Sequence, residues 1–321
     1  MSRHLAPALL AAPLLAACAS AEPSAAGSAC QVEFIILGVG QDAGIPQIGH
    51  SEDPAWADPS AQRLATSAAL VDHRTGQRFL FEATPDMRRQ MKHLDDLAPP
   101  SSGPLGLAGI FLTHAHIGHY AGLMFAGRES ASTSGLPVHV MPRLMDFLST
   151  NGPWDQLVTL GNITLQPLQQ REPQVLATDI RVTPYLVPHR DEYSETVGYV
   201  VEGPSASALF LPDIDDWGQW HTRFEIRIED MVGAVDYAFL DATFFDDNEL
   251  PGRDMTQIPH PRVSDTMARF AGAPVDVRAR IHFIHFNHTN GLRDPGSAQS
   301  RTVQDEGFAI AQEGQRVCLG R

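Results

Sequence analysis

Three histidines crowd into the stretch His114-Ala115-His116-Ile117-Gly118-His119, directly after the apolar run Gly109–Leu112. A Pro/Gly/Ser-rich loop, Ala98–Gly106, precedes that run, so the run reads as a short buried strand. A helical pattern with Ala121, Leu123, Met124 and Phe125 on it begins just beyond. Residues two apart in extended backbone point the same way, so His114 and His116 can grip one ion together. His119 lies a turn further on, aimed at a neighbouring position. Neutral imidazole nitrogens bind zinc at about 2.0–2.1 Å. The competing explanation is a chance cluster on a surface loop, and the strand before and helix after weigh against it.

The rest of the chain alternates in the same manner. Val32–Leu37 is a continuous apolar run and reads as a buried strand, followed by the Gly-rich turn Gly38–Gly44. That turn lacks the spacing of a dinucleotide loop and no helix pattern follows it, so it is not read as a phosphate cradle. Ser67–Val71 and Arg78–Glu82 flank the hairpin turn His73–Gly76, and Pro85–Leu94 has a helical pattern. Further strands are expected at Val138–Met141, Ile180–Val187, Thr196–Val201, Ala208–Leu211, Tyr237–Leu240 and Ile281–His285, and an amphipathic helix at Pro261–Phe270. Many strands interrupted by a few helices indicate an α/β sandwich. No repeat or internal boundary divides residues 31–321, which are expected to form one domain.

Formal charge is −15, from 38 acidic against 23 basic residues. Such a surface repels phosphate backbones, so the expected partner is a small-molecule substrate and not nucleic acid. No Gly-x-Ser-x-Gly elbow occurs. The cysteines are terminal, which leaves no Cys/His nucleophile pair.

The N-terminus reads as an export signal. Arg3 and His4 precede an apolar segment, Leu5–Leu15, too short to span a bilayer. Leu15-Ala16-Ala17-Cys18 resembles the lipobox of bacterial lipoproteins, whose cysteine is lipidated. Residues 1–18 are read as a signal peptide with lipobox and 19–30 as a flexible tether; cleavage after Ala19 is the alternative. The expected location is the periplasm, with the membrane touched only through the lipid anchor, or else secretion. With Cys18 lipidated, Cys30 and Cys318 remain. They are a disulfide candidate in an oxidising compartment, or two unrelated buried thiols.

The histidine stretch resembles the signature of the metallo-β-lactamase superfamily, His-x-His-x-Asp-His between a strand and a helix. That resemblance implies an αββα four-layer sandwich with the metal site at one edge of two sheets and further ligands just past successive strands. His189 fits the next ligand, after Val182–Pro188. Asp213 fits a bridging carboxylate after Ala208–Leu211, and His285 a final ligand after Ile281–Ile284. The first metal position would then be His114, His116 and His189, and the second His119, Asp213 and His285. The aspartate of the signature is Gly118 here. The expectation is one tight zinc and a weak or absent second, with Gly118→Asp raising the metal content; iron also suits three histidines with an open position. His288 is a candidate substitute ligand, or an exposed loop histidine.

Across residues 31–318 the chain also resembles the pyrroloquinoline-quinone biosynthesis protein B branch. Leu37-Gly38, Gly44-Ile45-Pro46-Gln47, Ala83–Gln90, Leu240–Phe244 and His285–Asn290 carry the likeness. Members that make the cofactor generally have a Cys-rich stretch after the Pro-Gln, where this chain has Ile48-Gly49-His50-Ser51. They also tend to lack the first histidine pair. The resemblance thus implies a relative with a different task.

Asp241-Ala242-Thr243-Phe244 with the downstream His260 is similar to the acid–histidine pair of tRNA 3′-processing enzymes and related phosphodiesterases. There the histidine donates a proton to the leaving group and the acid orients it, which suits an imidazole. Asp241 capping a turn and His260 lying on the surface is the alternative. Trp217 and Trp220 either line a substrate pocket or pack on a helix. Three function classes follow: an exported metal-dependent hydrolase of esters, lactones or phosphodiesters, with Asp213 holding the nucleophile; an iron-dependent oxygenase; and a non-catalytic accessory protein in PQQ handling or transport.

Overall fold

β1 (Val32–Gly38) is buried at every position. Val32, Phe34 and Ile36 join one apolar cluster, while Ile35 and Leu37 join another. Successive strand residues face opposite ways, so a strand that is apolar throughout must be covered on both faces. The computed structural model describes Met1 and residues 29–321. The expected signal segment, the lipobox Cys18 and all but the end of the tether lie outside the described residues.

Six strands run in order through the first sheet: β1, β2 (Ser67–Asp72), β3 (Gln77–Phe81), β4 (Gly109–Phe111), β5 (Leu136–Val140) and β6 (Ile163–Pro167). The chain then crosses into a second sheet. Its members are β7 (Gln174–Ala177), β8 (Ile180–Leu186), β9 (Val197–Glu202), β10 (Ser207–Leu211), β11 (Tyr237–Asp241), β12 (Ile281–Ile284) and β13 (Ala309–Ile310). The last strand, β14 (Arg316–Gly320), returns to pair antiparallel with β1.

Helices α1 (Met87–Leu97), α2 (Ile117–Tyr120), α3 (Pro142–Thr150) and α4 (Trp154–Thr159) bury Met87, Leu94, Tyr120, Leu144 and Leu157 against the outer face of the first sheet. Helices α5 (Trp217–Phe224), α6 (Ile228–Ala234), α7 (Val263–Phe270), α8 (Val275–Arg278) and α9 (Ala298–Asp305) pack with the second sheet. Between the sheets, Phe34 meets Phe210 and Phe239 with ring centroids 6.0 and 5.8 Å apart. This is the expected αββα sandwich. Among the described residues no helix is long and apolar enough to cross a membrane.

Strand direction decides where the strand ends meet. β1 and β3 are both antiparallel to β2, and β4 is parallel to β3, so β1, β3 and β4 run one way. β8 and β10 are both antiparallel to β9, and β11 and β12 are parallel to β10. The two sets of C-terminal ends are stitched together. Gly40 forms a parallel bridge with Phe286, and the Val197 N–H donates to the Thr113 carbonyl at 3.1 Å. Every residue just past one of these strands is therefore brought to one edge of the sandwich.

Strands stand where the apolar runs place them, and the helix expected from Pro261 is α7. The helix after His119 differs from expectation. It closes at Tyr120 and continues as a tighter 3-10 turn over Ala121–Ala126. The cause is contact with the loop after β3. Ala83 N–H donates to the His119 carbonyl at 2.9 Å, and Gly122 N–H donates to the Ala83 carbonyl at 2.7 Å. A Cβ on Gly122 would lie 2.2 Å from the Thr84 carbonyl oxygen, so only glycine permits this approach. Trp217 and Trp220 are buried, and their indole N–H groups donate to Thr266 Oγ1 and the Leu186 carbonyl. They are packing residues.

Cys30 and Cys318 form a disulfide with their Cα atoms 5.8 Å apart, across 288 residues of sequence. It fastens the start of β1 to β14, beside the register Glu33–Cys318. Closing so long a loop stabilises by up to about 5 kcal/mol in the chain-entropy account. The double variant Cys30→Ser/Cys318→Ser is expected to lose about 2–5 kcal/mol of unfolding free energy in a denaturant titration. An unchanged midpoint would mean that strand pairing alone holds the two ends.

Candidate metal centre

β4 delivers the first ligands. Thr113 Oγ1 lies 2.8 Å from His114 Nδ1, which leaves His114 Nε2 facing inward. His116 Nε2 sits 3.0 Å from Glu192 Oε2, so its Nδ1 is the inward nitrogen. From the second sheet, His189 follows β8, and its Nδ1 lies 2.8 Å from Asp215 Oδ1. Carboxylate or hydroxyl partners of this kind fix which imidazole nitrogen is left for a metal.

The three inward nitrogens converge. His116 Nδ1 is 2.8 Å from His114 Nε2 and 3.1 Å from His189 Nε2. Neutral imidazoles packed this closely cannot all satisfy one another by sharing protons. A common cation satisfies them: neighbouring nitrogens on a tetrahedral zinc stand about 3.3 Å apart. Burial holds the His114 and His116 imidazoles below their ordinary pKa, in the neutral form that binds metal.

Asp213 follows β10 and is buried. Its Oδ2 is 2.9 Å from His119 Nε2, 3.5 Å from His285 Nε2 and 3.7 Å from His114 Nε2. Its Oδ1 is 3.9 Å from His189 Nε2 and 3.5 Å from His260 Nδ1. The carboxylate thus lies between the first histidine set and the pair His119 and His285. Burial pushes its pKa up, but His285, His119 and His189 outweigh that and hold it well below the usual carboxylate range.

His119 and His285 complete the centre from opposite sheets. Asp213 Oδ2, His119 Nε2 and His285 Nε2 are all buried, and although the first two lie 2.9 Å apart, none of the three makes a well-directed hydrogen bond. Unpaired buried polar atoms are costly, and three of them facing one space fit a cation that all three ligate. His119 is also flanked by Asp42 Oδ1 at 3.3 Å from Nε2 and Glu82 Oε1 at 3.6 Å from Nδ1. Burial pushes its pKa down, yet Asp213, Asp42 and Glu82 raise it well above the ordinary value.

The acid–histidine pair is also in place. His260 Nδ1 lies 2.7 Å from Asp241 Oδ2. Asp241 also accepts from Thr243 N–H at 2.9 Å, so it caps a turn and orients His260 at once. His260 is buried and is not the surface residue of the alternative account. It lines a polar cleft of about 560 Å³ that also takes in Arg190, Asp215, Gln219, Gln257 and Arg262.

Asp42, Glu82, His260 and His285 all have positive φ, at 40°, 69°, 88° and 71°. Non-glycine residues rarely adopt that region, and such strain gathers at functional sites.

His114, His116, His119, His189, Asp213, His260 and His285 all lie within this one cluster. His288 does not. It packs against His50 with ring centroids 4.0 Å apart and the rings tilted by 45°, and is absent from every metal-competent group among the described residues. Sequence reading missed Asp42, Glu82 and Asp215. The expected effect of Gly118→Asp is also corrected: a Cβ at position 118 would lie 2.6 Å from Asp42 Cα, so the space an aspartate needs is filled.

A sandwich carrying histidines and a buried aspartate at one edge defines a class. Residues 77–317, well over half of the chain, match the family model described as "Beta-lactamase superfamily domain", and the chain belongs to that family. Within it, the chain is 25% identical over 320 residues to the coenzyme PQQ synthesis protein B of Xanthomonas campestris pv. campestris (strain B100), covering 90% of this chain and all of that protein. The structure of Zn2+-bound PqqB from Methylobacterium extorquens superposes with a TM-score of 0.73 at 20% identity, over 89% of this chain and 99% of that one. A diphosphatase of the PhnP family has a TM-score of 0.59 at 19% identity, over 89% and 96%.

His116→Ala removes one of three converging nitrogens and is expected to strip most of the metal bound at that position, read by elemental analysis after gel filtration. Metal affinity at the position that includes His119 should also fall from pH 7 to pH 5, because His119, whose pKa Asp213, Asp42 and Glu82 raise, must shed a proton to bind. Competition with a chromophoric chelator measures this, and an affinity there that is independent of pH would contradict ligation by His119.

Proposed function

We propose that this protein is an exported zinc-dependent hydrolase of a small ester-type substrate, with a phosphodiester or diphosphate centre the best fit. The observation that carries it is the Asp241–His260 pair set 3.5 Å from the shared carboxylate Asp213. Metal binding alone would not call for such a pair. The diphosphatase name of a fold neighbour accords with the phosphorus centre. Zinc is the metal named in the PqqB neighbour, and no comparable observation favours iron.

Bound zinc would supply Lewis acidity, polarising a substrate oxygen and making water nucleophilic near neutral pH. The chain's own residues do the remainder. His114, His116 and His189 would hold the ion as neutral ligands, so its charge would not be cancelled. Asp213, fixed between the two histidine sets, orients the attacking water. His260 protonates the leaving group. Burial lowers its pKa, but Asp241 outweighs burial and raises it, which favours the protonated imidazole that a general acid needs. Asp241 is locked by Ile214 N–H, at 3.1 Å, and by Thr243, so the ring cannot swing away. A non-catalytic role in PQQ handling would leave this arrangement without a task.

Export belongs to the same proposal. The lipobox motif at Cys18 and the Cys30–Cys318 disulfide both suit an oxidising compartment, with membrane contact confined to the anchor. The net charge of −15 favours a small substrate over a nucleic acid.

The test uses zinc-loaded protein against bis(para-nitrophenyl) phosphate, para-nitrophenyl esters and lactones. Hydrolysis is expected on at least one, with His260→Ala lowering kcat about 10²- to 10⁴-fold at unchanged zinc content. Full zinc occupancy without turnover on the panel would contradict the proposal.

A further inference from the structure

Gly118 stands where the superfamily signature has an aspartate, and the structure fills its place from elsewhere. The loop after β1 folds across position 118, so closely that a Cβ there would lie 2.6 Å from Asp42 Cα, 2.8 Å from Asp42 Cβ and 2.8 Å from the Asp42 carbonyl oxygen. Position 118 must be glycine for this loop to lie where it does. What the loop brings in exchange is a carboxylate. Asp42 Oδ1 is 3.3 Å from His119 Nε2 and 3.8 Å from His285 Nε2.

We propose that Asp42 replaces the missing motif aspartate, so that Asp42, His119, His285 and the shared Asp213 form a second divalent-cation position beside the first. This rests on the zinc-hydrolase reading of the site.

Three observations point the same way. First, the nitrogens of His119 and His285 that face Asp42 and the Asp213 Oδ2 beside them are buried and, although His119 Nε2 lies 2.9 Å from Asp213 Oδ2, none of them makes a well-directed hydrogen bond. A simple ion pair between Asp42 and His119 would leave His285 Nε2 unsatisfied. A cation satisfies all three. Second, the loop is built in. Gln41 N–H donates to the Phe286 carbonyl and Phe286 N–H donates to the Val39 carbonyl, each at 2.8 Å. The Asp42 segment is thus tied by strand-like pairing to the residue next to His285. Thr66 N–H donates to the Gly40 carbonyl at 2.7 Å and holds it from the other side. Third, the supporting contacts of a metal-bound histidine are present. Thr243 Oγ1 lies 3.0 Å from His285 Nδ1, and Glu82 approaches His119 Nδ1. Both leave Nε2 as the metal-facing atom.

Two oxygen and two imidazole ligands suit zinc or manganese. The carboxylate comes from a loop on the first sheet and its side chain is half exposed. The second ion should therefore exchange more freely than the first.

The experiment titrates metal-free full-length protein with zinc, and with cobalt for its absorption spectrum, and compares it with Asp42→Asn. The unaltered protein is expected to take two ions per chain. Asp42→Asn keeps size and shape, and is expected to keep the first ion while weakening the second by more than the about 10- to 100-fold that loss of a supporting contact costs. Gly118→Ala keeps every ligand but displaces the loop, and is expected to weaken the second ion as well. A single ion in the unaltered protein, or a second ion that neither variant weakens, overturns this proposal and leaves the hydrolase reading standing. Failure to bind even the first ion overturns that reading instead. Retained binding of the first ion in both variants confirms that they fold.

Discussion

A buried carboxylate surrounded by imidazoles is the constraint on which the site depends. Asp213 lies within 4 Å of five histidines contributed by both sheets. A charge taken out of water costs several kcal/mol unless it is paired and hydrogen-bonded. Protons can supply positive charge to this cluster, and Asp213, Asp42 and Glu82 raise the pKa of His119 in that direction. Protons leave the inward nitrogens of His114, His116 and His285 without a shared partner. A cation at each of the two proposed positions would settle all of them. The two-sheet architecture serves this end: parallel strands bring distant segments to one edge, and cross-sheet links hold the edge closed.

The fold of the described residues and most of the centre were legible in the sequence. The reason is that both are written in local patterns. Apolar runs mark strands that must be buried on two faces, and a residue just past such a run has its position set by the strand. His114 and His116 follow from spacing alone. His189, Asp213 and His285 follow from their order after strands once the superfamily resemblance is admitted. Asp241 and His260 follow in the same way.

Asp42 escaped notice because nothing local distinguishes it. Its loop is Gly-rich, has no periodicity and lies far from the histidine stretch in sequence. The available clue was indirect: a glycine at 118 leaves a position short of one carboxylate, and another strand-end loop holds an acidic residue. Glu82 and Asp215 are hidden for a related reason. Each acts through a ligand and not on its own, so its role exists only in three dimensions. The short helix after His119 was also beyond reach, since its tightening depends on Gly122 pressing against the loop after β3.

The most direct test is zinc X-ray absorption of the reconstituted protein. The account predicts a first shell of nitrogen and oxygen only, at about 2.0–2.1 Å, with the multiple-scattering pattern of histidine imidazoles around each ion. A sulfur shell at about 2.3 Å, or a spectrum without imidazole scattering, would contradict it.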